Sequence, residues 1–443
     1  MLKVRVEENA RGLVFRHGRT RYAVRWPRGV WRKLPKRFRD VLTDNLAHLL
    51  TIDLPLVAEA DGVQLNRARP CFWGEFKTCV LGSIPQAVEI YPPRTTRVLE
   101  TFRGIRYLFT TDVPVVPPRR TWKTKPRAVV LFSSGKDSLV SLGLAREMGL
   151  DPVAVYVDDT VSPSENRIKR SHLGKLARMG FPVELVTNEV ERLNDFKHWK
   201  RDETCLGYMH MVTAFAFLAL PIAYAFQARY VILGNQQDMN FPFVNKDGFY
   251  TYPSFDQTSS WTMQVDAMVR AFTGGGVRVM SLIEPLTNVG VMKLLLERYP
   301  ELVELLVSCD SLDACVEPRW CQECSKCATL ALLMRALGGD PRAVGIRSEM
   351  MGLADAPLYA VLGGVRTDNY ERSAEAREEQ ALCFLLAIEH GLSGPLIDRF
   401  KARFAGKFSK QELLAKFLKL YPPATVPVEL RTDLMTILRD AMS

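Results

Sequence analysis

Acidic side chains are nearly missing from the start of this chain: residues 1–40 hold 3 of them against 13 Lys and Arg. The other 403 residues carry 46 of each sign, so the whole net charge of +10 belongs to the first forty. A basic coat over the entire molecule is thereby excluded. What remains is a local patch, either a solvated face or a surface that steers tRNA, a nucleotide or an anionic lipid surface. Long apolar runs are equally scarce. The stretch HMVTAFAFLALPIAYAF (210–226) is about one turn short of a typical span and carries Pro221, so it reads as a buried helix with no membrane partner. MLKVRVEEN alternates and lacks the apolar core of a signal peptide. There is no internal repeat. Neither GxxxxGK[ST] nor GxGxxG occurs in the phosphate-loop position, which sets aside the Walker loop and the dinucleotide fingerprint.

Cysteine is present, and unevenly: five of nine fall within 309–327. That distribution points to a cytoplasmic protein with a metal site rather than a disulfide framework. In RWCQECSKC a CxxCxxC spacing precedes an apolar helix and gathers Cys321, Cys324 and Cys327 around one point. A fourth thiolate from upstream, Cys309 or Cys315, completes a tetrahedron. Soft ligands select Zn²⁺ or an iron–sulfur cluster, and structural Zn²⁺ is the expectation because nothing else in the chain suggests redox chemistry.

The rhythm of the chain divides it. Residues 1–112 read as a small α+β domain with short alternating segments (KVRVE, GLVFR, YAVRW, AVEIY, IRYLF) and one helical stretch, RFRDVLTDNLAHLLTI. Residues 113–127, with four prolines and five basic side chains, read as an extended linker. From 128 to 307 strands and helices alternate, the pattern of an α/β parallel sheet with crossover helices. Ser164 is the expected N-cap of its second helix. Within this part 235–260 is a long aromatic-rich loop, expected to be ordered and functional. The Cys-rich element occupies 308–345, and 346–443 reads as a helical tail.

The chemistry is carried by AVVLFSSGKDSLVSLGLAR (128–146). A strand ending in a small-residue turn that opens a helix aims backbone N–H groups and roughly half a positive charge at one point. Ser133, Ser134 and Gly135 permit close approach, Lys136 offers a cation, Asp137 a cap or a Mg²⁺ ligand, and Ser138 a hydroxyl. The stretch resembles the SGGxDS pyrophosphate loop of the N-type ATP pyrophosphatases, which cleave ATP to AMP and pyrophosphate while adenylating an oxygen of the substrate. Ser134 stands where that family commonly has Gly, and a turn with negative φ is expected there. The resemblance implies an adenine nucleotide alpha-hydrolase-like (HUP) core, with Val157 and Asp158 at the adenine and Gly234 and Asn235 beside the α-phosphate.

Two such families carry a C…CxxCxxC element at this place: the 7-cyano-7-deazaguanine synthases and the epimerases of UDP-N-acetylmuramoyl-L-alanyl-L-glutamate, a cell-wall precursor. In both, an upstream Cys after Ser or Thr is the fourth member, which corresponds to Cys309. KDSLVS, VTA at 212–214, RWCxxCxKC and EPLTNVGVMK are similar to the epimerases, over roughly 125–345. GNQQDMN and DQTSSW depart from the epimerase segments that border the substrate, and GNQQD followed by YPSFD loosely resembles the synthases' pattern of an Asp and a Pro-rich turn as well. The resemblance implies ATP, Mg²⁺ and a small or nucleotide-linked acidic substrate. The alternatives are a ligase acting on a deazapurine carboxylate and a tRNA modifier. Glu203, Cys205 and His210 are candidate proton carriers, although His210 borders an apolar run and reads first as a core histidine. Asp238, Asn240, Asn245, Lys246 and Gln257 are the substrate-side candidates.

Overall fold

The structure, a computed structural model, describes residues 1–309, 319–364, 366, 371–404 and 406–442. Ten strands form one sheet: β1 Leu2–Asn9, β2 Gly12–His17, β3 Thr20–Arg25, β4 Gly62–Leu65, β5 Arg106–Leu108, β6 Lys125–Leu131, β7 Val153–Asp158, β8 Val183–Asn188, β9 Ala228–Ile232 and, after the two-stranded hairpin β10 Phe243–Val244 and β11 Tyr250–Thr251, β12 Arg278–Met280. Their order is β12-β9-β6-β7-β8-β3-β2-β1-β4-β5. The first five in that order pair in parallel, and β1, β4 and β5 are parallel again at the far end. Between these two parallel parts of the sheet the β8–β3, β3–β2 and β2–β1 pairs are antiparallel. Helices cover both faces, so the fold is α/β.

Alternation of side chains along the strands builds two cores. Ala128, Val130, Ala154, Tyr156, Tyr230 and Ile232 point to one face, where they meet the helix Lys136–Glu147 and much of the C-terminal region. Val129, Val153, Val155, Val157 and Val231 point to the other, where they meet the helix Met211–Phe226 and nearly all the apolar residues of 1–112. This explains a helix that is apolar all round: sheet packs on one side and the N-terminal region on the other. Among the described residues no helix is long and apolar enough to cross a membrane.

Strand pairing carries the sheet straight from one region into the other, through Val24 opposite Asn188 and Arg25 opposite Thr187. Trp26 adds a buried bond from its indole N–H to the Leu218 carbonyl at 2.8 Å. Residues 114–124 have no regular structure and bend at 118–120, where Arg120 N–H bonds the Pro118 carbonyl, and Trp122 is buried with its backbone N–H on the Thr273 carbonyl. Three local expectations need correction. AVEIY is no strand; it is the end of the helix Trp73–Ala87 and the turn after it, and Ile90 is exposed. The helix expected to be capped by Ser164 instead begins at Pro163, with Ser162 in the cap position. No side chain caps it; Asp159 Oδ1 accepts from Val161 and Ser162 N–H and so fixes the turn that leads into it. The third concerns Ser134, below. The 235–260 segment is ordered into two short 3₁₀ turns and the β10–β11 hairpin.

Candidate active site and four-cysteine centre

Strands β6, β7 and β8 run out one way from the middle of the sheet, and β9 and β12 run the other. The order in which successive strands are added therefore reverses between the parallel strands β6 and β9, and the crevice beyond their carboxyl ends is where open α/β sheets bind ligands. A cleft of about 290 Å³ opens there. Its floor is Lys136, Asp137, Gln236 and Asn288; one wall is Met239, Pro253, Ser254 and Gln257, and the other is Ser308 with Lys326, Thr329, Leu330 and Leu333.

The turn that feeds Lys136 into the cleft is tied internally. Ser133 N–H donates to Ser138 Oγ at 3.2 Å, Gly135 N–H to Ser133 Oγ at 3.3 Å, and the Ser138 hydroxyl to the Gly135 carbonyl at 3.0 Å. No side chain caps the helix Lys136–Glu147, so its first amides remain available toward the cleft. Ser134 does not keep a negative φ: it sits at φ 62°, in the left-handed region. Left-handed backbone costs a non-glycine residue about 1 kcal/mol. Two contacts offset that cost: Ser134 Oγ lies 3.0 Å from His172 Nδ1, and its carbonyl accepts from Val307 N–H at 2.9 Å. Burial, with Arg319 and Lys175 nearby, holds His172 down at about 4, so the imidazole is neutral near pH 7. Gly234 passes so close that a Cβ there would lie 3.2 Å from Asp137 Cβ.

Lys136 is held by a chain of directed bonds. Its Nζ donates to Asp137 Oδ1 at 2.6 Å and to Gln236 Oε1 at 2.9 Å. Gln236 Nε2 donates to Asn288 Oδ1 at 2.7 Å, and Asn288 Nδ2 to Glu379 Oε2 at 3.3 Å. Glu379 also accepts from Val289 N–H at 2.8 Å. Asp238 lies beneath, buried, with neither carboxylate oxygen in a hydrogen bond. Burial, reinforced by Glu379, raises its pKa well above the usual carboxylate range, and Lys136 only partly opposes this.

The remaining sequence candidates are placed as follows. Val157 and Asp158 end β7, and the Asp158 carboxylate accepts from Arg170 and from Thr160 N–H. Asn235 is committed inward, to Thr262 Oγ1 at 2.9 Å. Gln257 lines the cleft and donates to Ser254. Asn240 accepts from Ser259 N–H, while Asn245 is buried against Pro85 and Thr95 and organises its own loop. Lys246 reaches the Tyr91 carbonyl at the surface. Glu203, facing Tyr91, Cys205 and His210 are not among the cleft's lining residues. His210 is fully buried, with Nδ1 2.7 Å from Asp53 Oδ2. No protein-family model and no curated protein sequence matches the chain.

Cys309, Cys321, Cys324 and Cys327 bring their sulfurs within 4.8 Å of one another, with Cys321–Cys327 at 3.7 Å and Cys324–Cys327 at 3.4 Å. Sulfurs about 2.3 Å from a tetrahedral Zn²⁺ stand about 3.8 Å apart, so the set fits that ion. The turn is made for it: Gln322 adopts φ 61°, and its Oε1 accepts the Arg347 and Ser348 N–H groups. Cys324 Sγ also accepts from Cys327 N–H, capping the helix Ser325–Ala336. Hydrogen bonds from Cys309 and Cys327 lower the pKa of the Cys324 thiol, and the same contacts raise those of Cys309 and Cys327, so the set shares one thiolate. Cys315 lies outside the described residues. The capped helix supplies Lys326, Thr329, Leu330 and Leu333, one helical stripe, to the cleft. Gln236 and Asn288 stand in segments that the sequence had marked, GNQQD and EPLTNVGVMK. Glu379 comes from a C-terminal helix, Ala374–Glu389, with no local signal.

Proposed function

We propose that the protein is an AMP-forming ATP pyrophosphatase with a HUP-type core, and that it adenylates a substrate carboxylate. One arrangement carries the reading: an uncapped helix N-terminus, with Lys136 and Asp137, opening on a cleft at the switch between β6 and β9. A carboxylate oxygen attacks the α-phosphorus of ATP, its bond to the β-phosphate oxygen breaks, and pyrophosphate leaves as the acyl-adenylate forms. Lys136 and the amides of the turn hold the negative charge that builds on the departing phosphates. Asp137 and the phosphates are the groups suited to Mg²⁺.

The substrate that the resemblance favours is the terminal glutamate of UDP-N-acetylmuramoyl-L-alanyl-L-glutamate. Adenylation removes the carboxylate charge and acidifies the neighbouring Cα–H. A base takes that proton, a proton returns on the opposite face, and water then releases AMP and the epimerised acid. The test is to incubate the chain with ATP, Mg²⁺ and this precursor, following pyrophosphate and deuterium from solvent at Cα. Deuterium incorporation is expected, with substrate-dependent pyrophosphate that Lys136→Ala abolishes. Pyrophosphate without deuterium but with ammonia nitrogen in the product would make it a ligase. Unchanged AMP formation in Lys136→Ala would sink the loop assignment itself.

A further inference from the structure

A basic groove lies at the opposite end of β6 and β9 from Lys136. Residues 28–39 carry six basic side chains and 113–127 carry five, with no acid in either segment, which together exceeds the chain's net excess of +10. The fold brings these segments together. A groove of about 490 Å³ is lined by Lys33, Pro35 and Phe38 from the first, by Arg120 to Lys123 and Arg127 from the second, and by Tyr224 to Gln227 at the end of the Met211–Phe226 helix. Strand β6 has seven residues, so about 20 Å separates the groove from the cleft.

Its charge is not neutralised internally. Arg127 is paired with Asp151, but Lys33, Arg120 and Lys123 make no ion pair among the described residues. Lys33 acts on Glu184 through space, but Glu184 is half-buried and burial, the larger cause, raises its pKa. Along one wall Tyr224 and Phe226 are half-exposed, and Trp122 packs edge-on against Tyr224 at 4.9 Å, fixing that ring in place. Cations around a concavity with held aromatic rings are the combination that tracks a phosphate backbone and stacks bases. A membrane surface would instead call for protruding apolar side chains. The exposed valines of the 113–127 segment, Val113, Val115 and Val116, are not among the lining residues.

We propose that this groove binds single-stranded nucleic acid, independently of the chemistry in the cleft. The test is fluorescence anisotropy of the full-length chain with labelled oligo-U and oligo-dT of about 15 nucleotides, a length that covers one such site. Binding is expected at physiological salt. On single strands each neutralised phosphate contributes about 0.7 to the slope of log affinity against log salt. The triple variant Lys33→Glu/Arg120→Glu/Lys123→Glu should therefore bind at least about tenfold more weakly, with a slope shallower by about 2. Lys136→Ala should bind like the parent. If the triple variant melts early, lysine acylation of the unmodified chain decides: oligonucleotide should protect Lys33 and Lys123. The proposal is overturned by no binding at physiological salt, by unchanged affinity in a folded triple variant, by no protection, or by capture on phosphatidylserine vesicles in place of the oligonucleotides.

Discussion

Lys136 takes its orientation from a carboxylate it never touches. Each amide between them has one carbonyl and one NH₂ group, so the donor-only ammonium at one end and the acceptor-only carboxylate at the other set one direction for the chain. Glu379 can only accept. Asn288 must then turn its NH₂ toward it and its carbonyl toward Gln236, and Gln236 in turn presents a carbonyl to the ammonium. Glu379→Gln removes the acceptor-only end, because its own NH₂ can face Asn288 and oppose the direction that the ammonium imposes. A hydrogen bond to a charged group contributes about 1.5–3 kcal/mol, which corresponds to about a 10- to 100-fold fall in kcat for AMP formation. The ATP KM should change less, and Glu379→Asp should recover part of the rate. Unchanged kcat in Glu379→Gln would show that the lysine is held by Asp137 alone. The lysine itself was legible, because strand, turn and helix are contiguous and their geometry is local. Glu379 was not, since only packing of the C-terminal helix against Asn288 brings it there. Ser134 misled for a related reason: its left-handed backbone is stabilised by His172 and Val307, and neither is near it in sequence.

Among the elements, the four-cysteine turn is the one most plainly written in the chain. CxxCxxC fixes three sulfurs through local backbone alone, and the upstream Cys309 has only to be brought within reach. What the spacing could not say is that the capped helix behind it forms a wall of the cleft. Metal loss should therefore be felt at the site as well as in stability. The parent chain is expected to hold about one Zn²⁺, as a closed set of four thiolates does. Cys324→Ala should lose it, with amide hydrogen exchange accelerating across 319–336 while β6, β7 and β9 stay protected. Elemental analysis and exchange mass spectrometry read the two effects separately; retained zinc in the variant would remove Cys324 from the ligand set. AVEIY marks the opposite limit. Short alternation at 87–91 imitates a strand, yet the preceding fifteen residues already form a helix whose last turn tolerates Pro85.

At the scale of the whole molecule, the N-terminal region is part of the architecture that supports the cleft. Prolines and basic residues at 113–127 mark a change of composition, but composition carries no information about strand pairing, and the sheet crosses that change through β3 and β8. The same seam buries an ion pair. Asp53, from the N-terminal region, meets His210 at the start of the long apolar helix, and Glu191 and Asp256 add their fields. Burial alone would lower the pKa of His210, but the three carboxyl groups outweigh it and leave the value raised. The sign of the pH dependence follows. A group with a raised folded-state pKa contributes stability that is fully present below its unfolded value, 6.5, and lost as pH rises through the folded value. Breaking a buried pair by removing one partner's charge costs about 3–5 kcal/mol. Asp53→Asn should therefore destabilise the chain by about that much near pH 6, and by progressively less as pH rises through the folded-state value of His210, in urea unfolding followed at several pH values. An equal penalty at both ends would mean that the charge of His210 does not change over that range.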